Sequence, residues 1–234
     1  MIRYTIATAQ AETDIRTEYG VHIEKSDIEV PNFKKQDEYD WPYLNGKYID
    51  LSQRRYDKRE ITLTGWMKAA NKQSAIDNLN ALRKAFDKES LIRLRVSFID
   101  DSGNVQTGTK GLFFLVYLES LKLNKAKWKR GQQIWPVEII LVEPSPIKRV
   151  YKVGGSTDSG TITITFSSSS EFNIHWGDGD VDYDNIGNSQ VVTHKYNSAW
   201  VHYIIITGVI KDISSMLVES STHEFPFTQI YDEI

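Results

Sequence analysis

The sequence predicts a mainly β chain that carries one packed α-helix and is divided into two units. Three observations predict this. A helical period occurs once, where Ile76, Leu79, Leu82 and Phe86 recur at three- and four-residue intervals and so share one face of a helix over residues 72–88. Most other apolar stretches are short and suit strands, some alternating with polar residues and some nearly continuous. Pro144 and Pro146, followed by a Gly/Ser/Thr-rich stretch from Gly154 to Gly160, mark a break, read as a linker over 147–160 between units 1–146 and 161–234.

The first unit opens with a short strand over residues 1–6. Gly20 punctuates it, and Val21, Ile23, Ile28 and Val30 supply strand material up to Pro31. Residues 32–45 form a polar and aromatic loop ending in the Asn45-Gly46 turn, since Asn-Gly favours positive φ. Tyr48, Ile49 and Leu51 suggest a short strand. Then comes the stretch on which the unit is organised: Ile61, Leu63 and Gly65 alternate with Glu60, Thr62 and Thr64, and the helix follows. Asn71 is its expected N-cap, because its side-chain oxygen can accept a free amide hydrogen of the first turn. Burying its four large apolar residues contributes roughly 1.5–3 kcal/mol each, enough to hold the helix on a sheet but not to sustain it alone.

After the helix, Leu91–Ile99 reads as a strand with Arg93 and Arg95 alternating out. A turn over 100–104 and a polar, glycine-rich arm over 105–111 lead to a long strand, Leu112–Leu123. Lys125, Lys127, Trp128, Lys129 and Arg130 make a basic loop, and residues 132–142 the closing strand. Pro136 within that strand predicts an edge position or a bulge, because proline cannot donate to the ladder. In the second unit, Thr161–Phe166 and Phe172–Trp176 read as two strands joined by a loose serine turn. Val191–Tyr196 and Tyr203–Thr207 supply two more, and Val209-Ile210 is a candidate continuation of the last.

The totals narrow the function. The 234 residues have a net charge of −3, which hides an asymmetry. From Tyr151 onward there are three basic and eleven acidic residues, net −8, against 25 basic and 20 acidic, net +5, before it. No apolar run reaches the roughly 18–20 residues that span a bilayer. The opening residues lack the apolar core of a secretory signal, which points to synthesis in the cytoplasm. The absence of cysteine excludes disulfides, a thiolate nucleophile and Cys-based zinc. The basic loop with Trp128 has the residue types that grip phosphate and stack a base. A net of +5 over this length favours a hairpin tip or a subunit contact, so no nucleic-acid partner is expected.

Asp178, Asp180, Asp182 and Asp184 fall at every second position. In an extended chain four carboxylates on one face repel unless a cation or positive partner sits there, which makes them a calcium candidate beside the reading as an acidic solvated turn. An EF-hand is excluded, since Tyr183 stands where its glycine belongs and Ser189 where its glutamate does. His175, His194 and His202 read as structural histidines rather than a zinc triad, with no helix presenting a histidine pair. No phosphate loop, nucleophile elbow or H-E-x-x-H occurs, and nothing singles out a carboxylate pair for glycoside hydrolysis. The expectation is a protein that is not an enzyme and that has no cofactor.

Two resemblances add to this reading. The loop carrying Trp41 and Asn45-Gly46, the strand Arg59-Glu60-Ile61-Thr62-Leu63-Thr64-Gly65, the helix with Leu79, Leu82 and Phe86, and the strand Leu91–Val96 together resemble the N-terminal domain of phage distal tail proteins. The resemblance covers most of residues 15–142. It implies a tail-tube-like β-sandwich or barrel with a flanking helix, six copies forming a ring between the tail tube and the tip or baseplate, and a place in the virion tail beside other tail proteins. Trp176-Gly177-Asp178-Gly179, then His194-Lys195-Tyr196, then Tyr203–Gly208 resemble the polycystic-kidney-disease (PKD) type immunoglobulin-like domain over residues 160–212. This implies a small sandwich serving spacing, docking or adhesion, with a host glycan as a candidate ligand. Trp200-Val201-His202 departs from the glycine-bearing turn expected there. The alternative is a surface or secreted carbohydrate-binding protein, with Trp41, Tyr43 and Trp200 as stacking platforms and the PKD-like unit as spacer. A third reading, a tail-tube subunit, differs only in that tube rings stack on one another.

Overall fold

The computed structural model describes residues 2–8, 11–35, 38–40, 42–43, 45–49, 56–100, 111–129, 132–153, 160–197, 202–220 and 228–232. The fold is mainly β. In chain order the first unit contains β1 (Ile2–Thr8), β2 (Ala11–Asp14), α1 (Ile15–Tyr19), β3 (Val21–Ile28), β4 (Glu38–Tyr39), β5 (Tyr48–Ile49), β6 (Arg59–Lys68), α2 (Lys72–Phe86), β7 (Ile92–Phe98), β8 (Leu112–Leu123), β9 (Lys127–Lys129) and β10 (Gln132–Glu143). The second contains β11 (Lys148–Val153), β12 (Thr161–His175), β13 (Val181–Lys195), β14 (His202–Gly208), β15 (Ile213–Ser220) and β16 (Thr228–Asp232).

The first sheet has the order β2-β1-β7-β8-β10-β6-β3, with β9 on β10. Its long strand β8 changes partner partway: Leu112–Val116 pair with β7, whereas Tyr117–Leu123 pair with β10. The sheet curls there, and residues from both halves enter one core with α2. Tyr4, Ile6, Leu94 and Phe114 come from one half, Leu63, Met67, Val137 and Ile139 from the other, and Ala75, Leu82 and Phe86 from the helix. The helix begins where the sequence places it, with Asn71 Oδ1 accepting the Ser74 N–H at 2.9 Å. Leu79 is half-buried and Leu82 fully buried.

Strand β6 has the expected alternation, with Ile61, Leu63 and Gly65 inward. Gly65 is required by a close approach: a Cβ there would lie 2.0 Å from the His22 carbonyl oxygen and 2.9 Å from Ile23 Cα. Strand β3 bulges at this place, its register shifting between Ile23 and Lys25.

Several expectations are corrected. The helix expected over 72–88 ends at Phe86 with Asp87 as its C-cap, and it is not alone, because Asp14 caps a short helix, α1, by accepting from the amides of Arg16 and Thr17 before Gly20 ends it at φ +65°. Pro136 is not on an edge: β10 is interior, between β8 and β6. It takes the other expected place, a bulge: between the pairs Leu123–Val137 and Lys127–Ile134, three residues, 124–126, oppose the two residues Trp135 and Pro136, and the Pro136 carbonyl still accepts from Asn124 N–H at 2.9 Å. The serine stretch does not separate two strands; β12 runs through it as one strand with register shifts at Phe166–Ser168, Ser168–Phe172 and Phe172–Ile174. Val209-Ile210 does not extend β14. Gly208, at φ +105°, turns the chain into a short 3-10 helix over Ile210–Asp212.

The second sheet has the order β13-β12-β14-β11-β16, with β15 also on β12. The first half of β12 pairs with β15 and the second with β14, so the sheet folds into two leaves around Ile164, Phe166, Phe172, Ile174, Trp176, Tyr196 and Ile206. The stretch 147–160 is not all linker. Lys148–Val153 is strand β11, bonded to β14 on one side and β16 on the other.

Candidate functional site

Two built features stand out: a buried seam between the units, and a turn that carries the Trp-Gly-Asp-Gly motif. The seam begins at Glu143, the last residue of β10. Its Oε1 accepts from Lys148 Nζ at 2.7 Å and from the Leu115 N–H at 3.1 Å, and Arg59 Nε lies 3.6 Å from its Oε2. Glu143 and Lys148 are both 0 % exposed. Lys148 Nζ also reaches the Pro146 carbonyl at 3.3 Å and lies 5.0 Å from the Phe114 ring centroid. The carboxylate thus serves the place where β8 changes partner and ties it to the first residue of the second unit. Two prolines and a buried ion pair make a docked junction, where the sequence suggested a loose one.

Arg93 and Arg95 alternate out of the first core as expected, but Arg93 is buried and Arg95 only partly exposed. Their guanidinium carbons lie 5.1 and 5.2 Å from the Tyr203 ring, and Arg95 lies 5.5 Å from Phe113. Glu12 accepts from both, at 3.3 and 3.2 Å. Phe113, Leu115, Val150, Tyr203 and Ile205 form a small apolar cluster beneath them, shared between the two units. Sequence reasoning missed Glu12, Glu143, Lys148 and Tyr203. The available signal was Glu143, a lone charge closing the run Ile139-Ile140-Leu141-Val142.

The motif turn brings distant residues together. Trp176 N–H donates to the Asp180 carbonyl at 3.0 Å, and Asp180 N–H to Asp178 Oδ1 at 3.2 Å. Gly177 and Gly179 have φ +88° and +108°, a region that glycine enters without strain. His194 Nε2 lies 2.7 Å from Asp178 Oδ2, and its ring stacks on Trp176 with centroids 4.7 Å apart. Tyr196 donates its hydroxyl hydrogen to the Trp176 carbonyl at 2.7 Å and stacks on His202 at 4.0 Å. Burial pushes the Asp178 carboxyl up, but the hydrogen bonds from His194 and the Asp180 amide outweigh it and hold it below the ordinary value.

The alternating aspartates do not present one face. Asp182 accepts from Trp176 Nε1 at 2.9 Å, and the left-handed backbone of Asp184, φ +57°, interrupts the alternation. The donor atoms that do converge belong to Asp178, Asp180 and His194, within 4.8 Å of one another. Both oxygens of Asp178 are already hydrogen-bonded, which suits a structural turn. The three histidines stay apart in role: His194 meets Asp178, His175 lies 3.2 Å from Thr207 Oγ1, and His202 stacks on Tyr196.

The basic loop is a hairpin, with Lys127–Lys129 pairing to Gln132–Ile134. Lys125 and Lys127 are exposed, the side chains of Trp128 and Lys129 are outside what is described, and Arg130 lies outside the described residues. So do Trp41, Trp200 and residues 101–110. Tyr43 is 96 % exposed, and Gly46 takes the expected positive φ, +88°. No helix of the described residues is long and apolar enough to cross a membrane.

No family model matches the chain, and no curated protein matches it. It is similar to solved structures. One is the crystal structure of the SPP1 Dit protein, described as a paradigm of the hub adsorption apparatus in phages that infect Gram-positive bacteria, at 7 % identity and a TM-score of 0.44 over 93 % of this chain and 98 % of that one. Another is the phage P2 baseplate in its activated conformation with Ca, at 7 % identity and a TM-score of 0.44 over 89 % of this chain and 99 % of that one. The same baseplate with Sr gives 7 % and 0.43 over the same shares, 89 % and 99 %.

His175 makes the second unit acid-sensitive. Burial lowers its pKa from 6.5 to about 4 in the folded chain. Between those values the unfolded chain binds a proton that the folded chain excludes, so stability is complete above pH 6.5 and falls as the pH drops towards 4. The loss should be on the order of 2–3 kcal/mol. Melting temperature against pH checks this: in His175→Gln the acid limb of the second unit should flatten, and an unchanged limb would remove His175 as its cause.

Proposed function

We propose that the chain is a structural subunit of a phage or prophage tail: a ring-forming adaptor between the tail tube and the tip or baseplate, with the second unit as an accessory docking surface. The observation that carries this reading is the stretch from Arg59 to Phe98, whose strand, helix and strand follow in the order on which the distal-tail resemblance rests. They build one curled sheet whose end strands, β2 and β3, are each bonded on one side among the described residues. An end strand presents free N–H and C=O groups, which suit pairing with another copy. The loops at 32–46 and 104–111 are the further contact candidates.

The mechanism is geometric. Identical heterologous contacts close a ring when the rotation per subunit closes, and each should bury on the order of 1,000 Å² or more. The role is non-catalytic, and the docked seam lets each copy carry its second unit at a fixed place on the ring. Light scattering at high protein concentration, with negative-stain images of the same fraction, tests the reading. Rings of about six copies are expected. A strict monomer throughout, alone and with tail partners added, would overturn it.

A further inference from the structure

In one leaf of the second unit, β12 lies between β13 and β15, and both outer strands are bonded on one side only among the described residues. Both run antiparallel to β12, so they are parallel to each other. They are also in step. Thr165 pairs with Val191 on one side and Leu217 on the other, and Thr163 pairs with Thr193 and Glu219. Val191 and Leu217 are 61 % and 52 % exposed. Lys195 lies two residues beyond Thr193, on the same face as Glu219. The pairing on both sides is regular from Ile162 to Phe166, and no proline interrupts Gln190–Lys195 or Ile213–Glu219.

We infer that these two edges pair with each other between copies, β13 of one chain lying parallel to β15 of the next. The occupant of each edge is then a second copy of this chain. Two features of the edges select it. In register, the apolar pair Val191 and Leu217 meets across the junction, and Lys195 stands diagonal to Glu219 of the neighbour. The contact is heterologous, so it repeats from copy to copy as a ring contact does. A six-residue edge buries too little to be stable alone, and it forms when the chains are already held close. The inference goes beyond the ring reading, which places its contacts in the first unit.

The chain has no cysteine, which permits a clean crosslinking test. Full-length V191C and L217C are mixed at high concentration and oxidised, with V191C plus N80C on the exposed face of α2 as control. The expected result is a mixed 191–217 dimer several-fold above control, with little 191–191 or 217–217 product. In the same assay, K195E or E219K alone should reduce crosslinking in that cysteine pair, and both together should restore it. A dominant 191–191 product would mean a two-fold contact and would overturn the inference, as would a mixed yield equal to control. Rings without the crosslink would overturn this contact and leave the ring reading standing. Crosslinks without rings would support the contact and count against the ring.

Discussion

Replacing Gly65 by alanine should severely destabilise the first unit. The added methyl would sit 2.0 Å from the His22 carbonyl oxygen and 2.8 Å from its carbon, both backbone atoms of the adjacent strand. No side-chain rotation relieves such a contact. The bulged segment of β3 would have to move away from β6, which breaks ladder bonds and lifts Val21 from the core. A cost above about 4 kcal/mol is expected, at the far end of the range for single substitutions. Chemical denaturation measures it, with the exposed Thr64→Ala as a neighbour expected to change stability by less than about 1 kcal/mol. A Gly65→Ala chain that melts with the wild type would show that β3 does not pass so close.

Glu143→Gln should be the second severe change. It removes the carboxylate that faces Lys148, Arg59 and the Leu115 amide, and leaves the Lys148 ammonium fully buried without its counter-charge. Breaking a buried pair from one side costs about 3–5 kcal/mol, because the remaining charge keeps its desolvation penalty. Burial raises the Glu143 carboxyl above its ordinary value, and the Lys148 ammonium, the Arg59 charge and the Leu115 amide oppose that rise. The double change Glu143→Gln with Lys148→Met should recover much of the loss, since it removes the stranded charge as well. Hydrogen exchange gives the local readout: the single variant should lose protection at Leu115 and along β11, at the seam, before the two cores open. If exchange there is unchanged, the ion pair does not hold the units together.

These two sites differ in how readily a sequence reveals them. Gly65 falls in a strand with clear alternation, and an inward glycine there already signals a close backbone approach. Lys148 gives no such sign, and Glu143 only that of a lone charge closing an apolar run. They lie five residues apart across two prolines, and the stretch reads as a linker until β11 is seen pairing with β14 and β16. The same holds for Arg93 and Arg95. Alternation says that they face away from the first core, and it is right. It cannot say that Tyr203, more than a hundred residues later, covers them.

By itself the sequence determined the class and the local elements: mainly β, one long helix starting at Lys72 and capped by Asn71, the Asn45-Gly46 turn, and a tight turn at Trp-Gly-Asp-Gly. These depend on period, capping and turn chemistry, which act over a few residues and leave local marks. Tertiary structure alone decided which strands neighbour one another, why Pro136 is tolerated inside the sheet, and how the two units dock. It also decided which aspartates are engaged: Asp178 by His194 and Asp182 by Trp176, so that an even spacing in the chain is not a shared face in the fold. The reason is range. Strand order, partner changes and buried ion pairs arise from contacts between residues far apart in the chain, and no local pattern encodes which distant surface will cover an outward-facing residue.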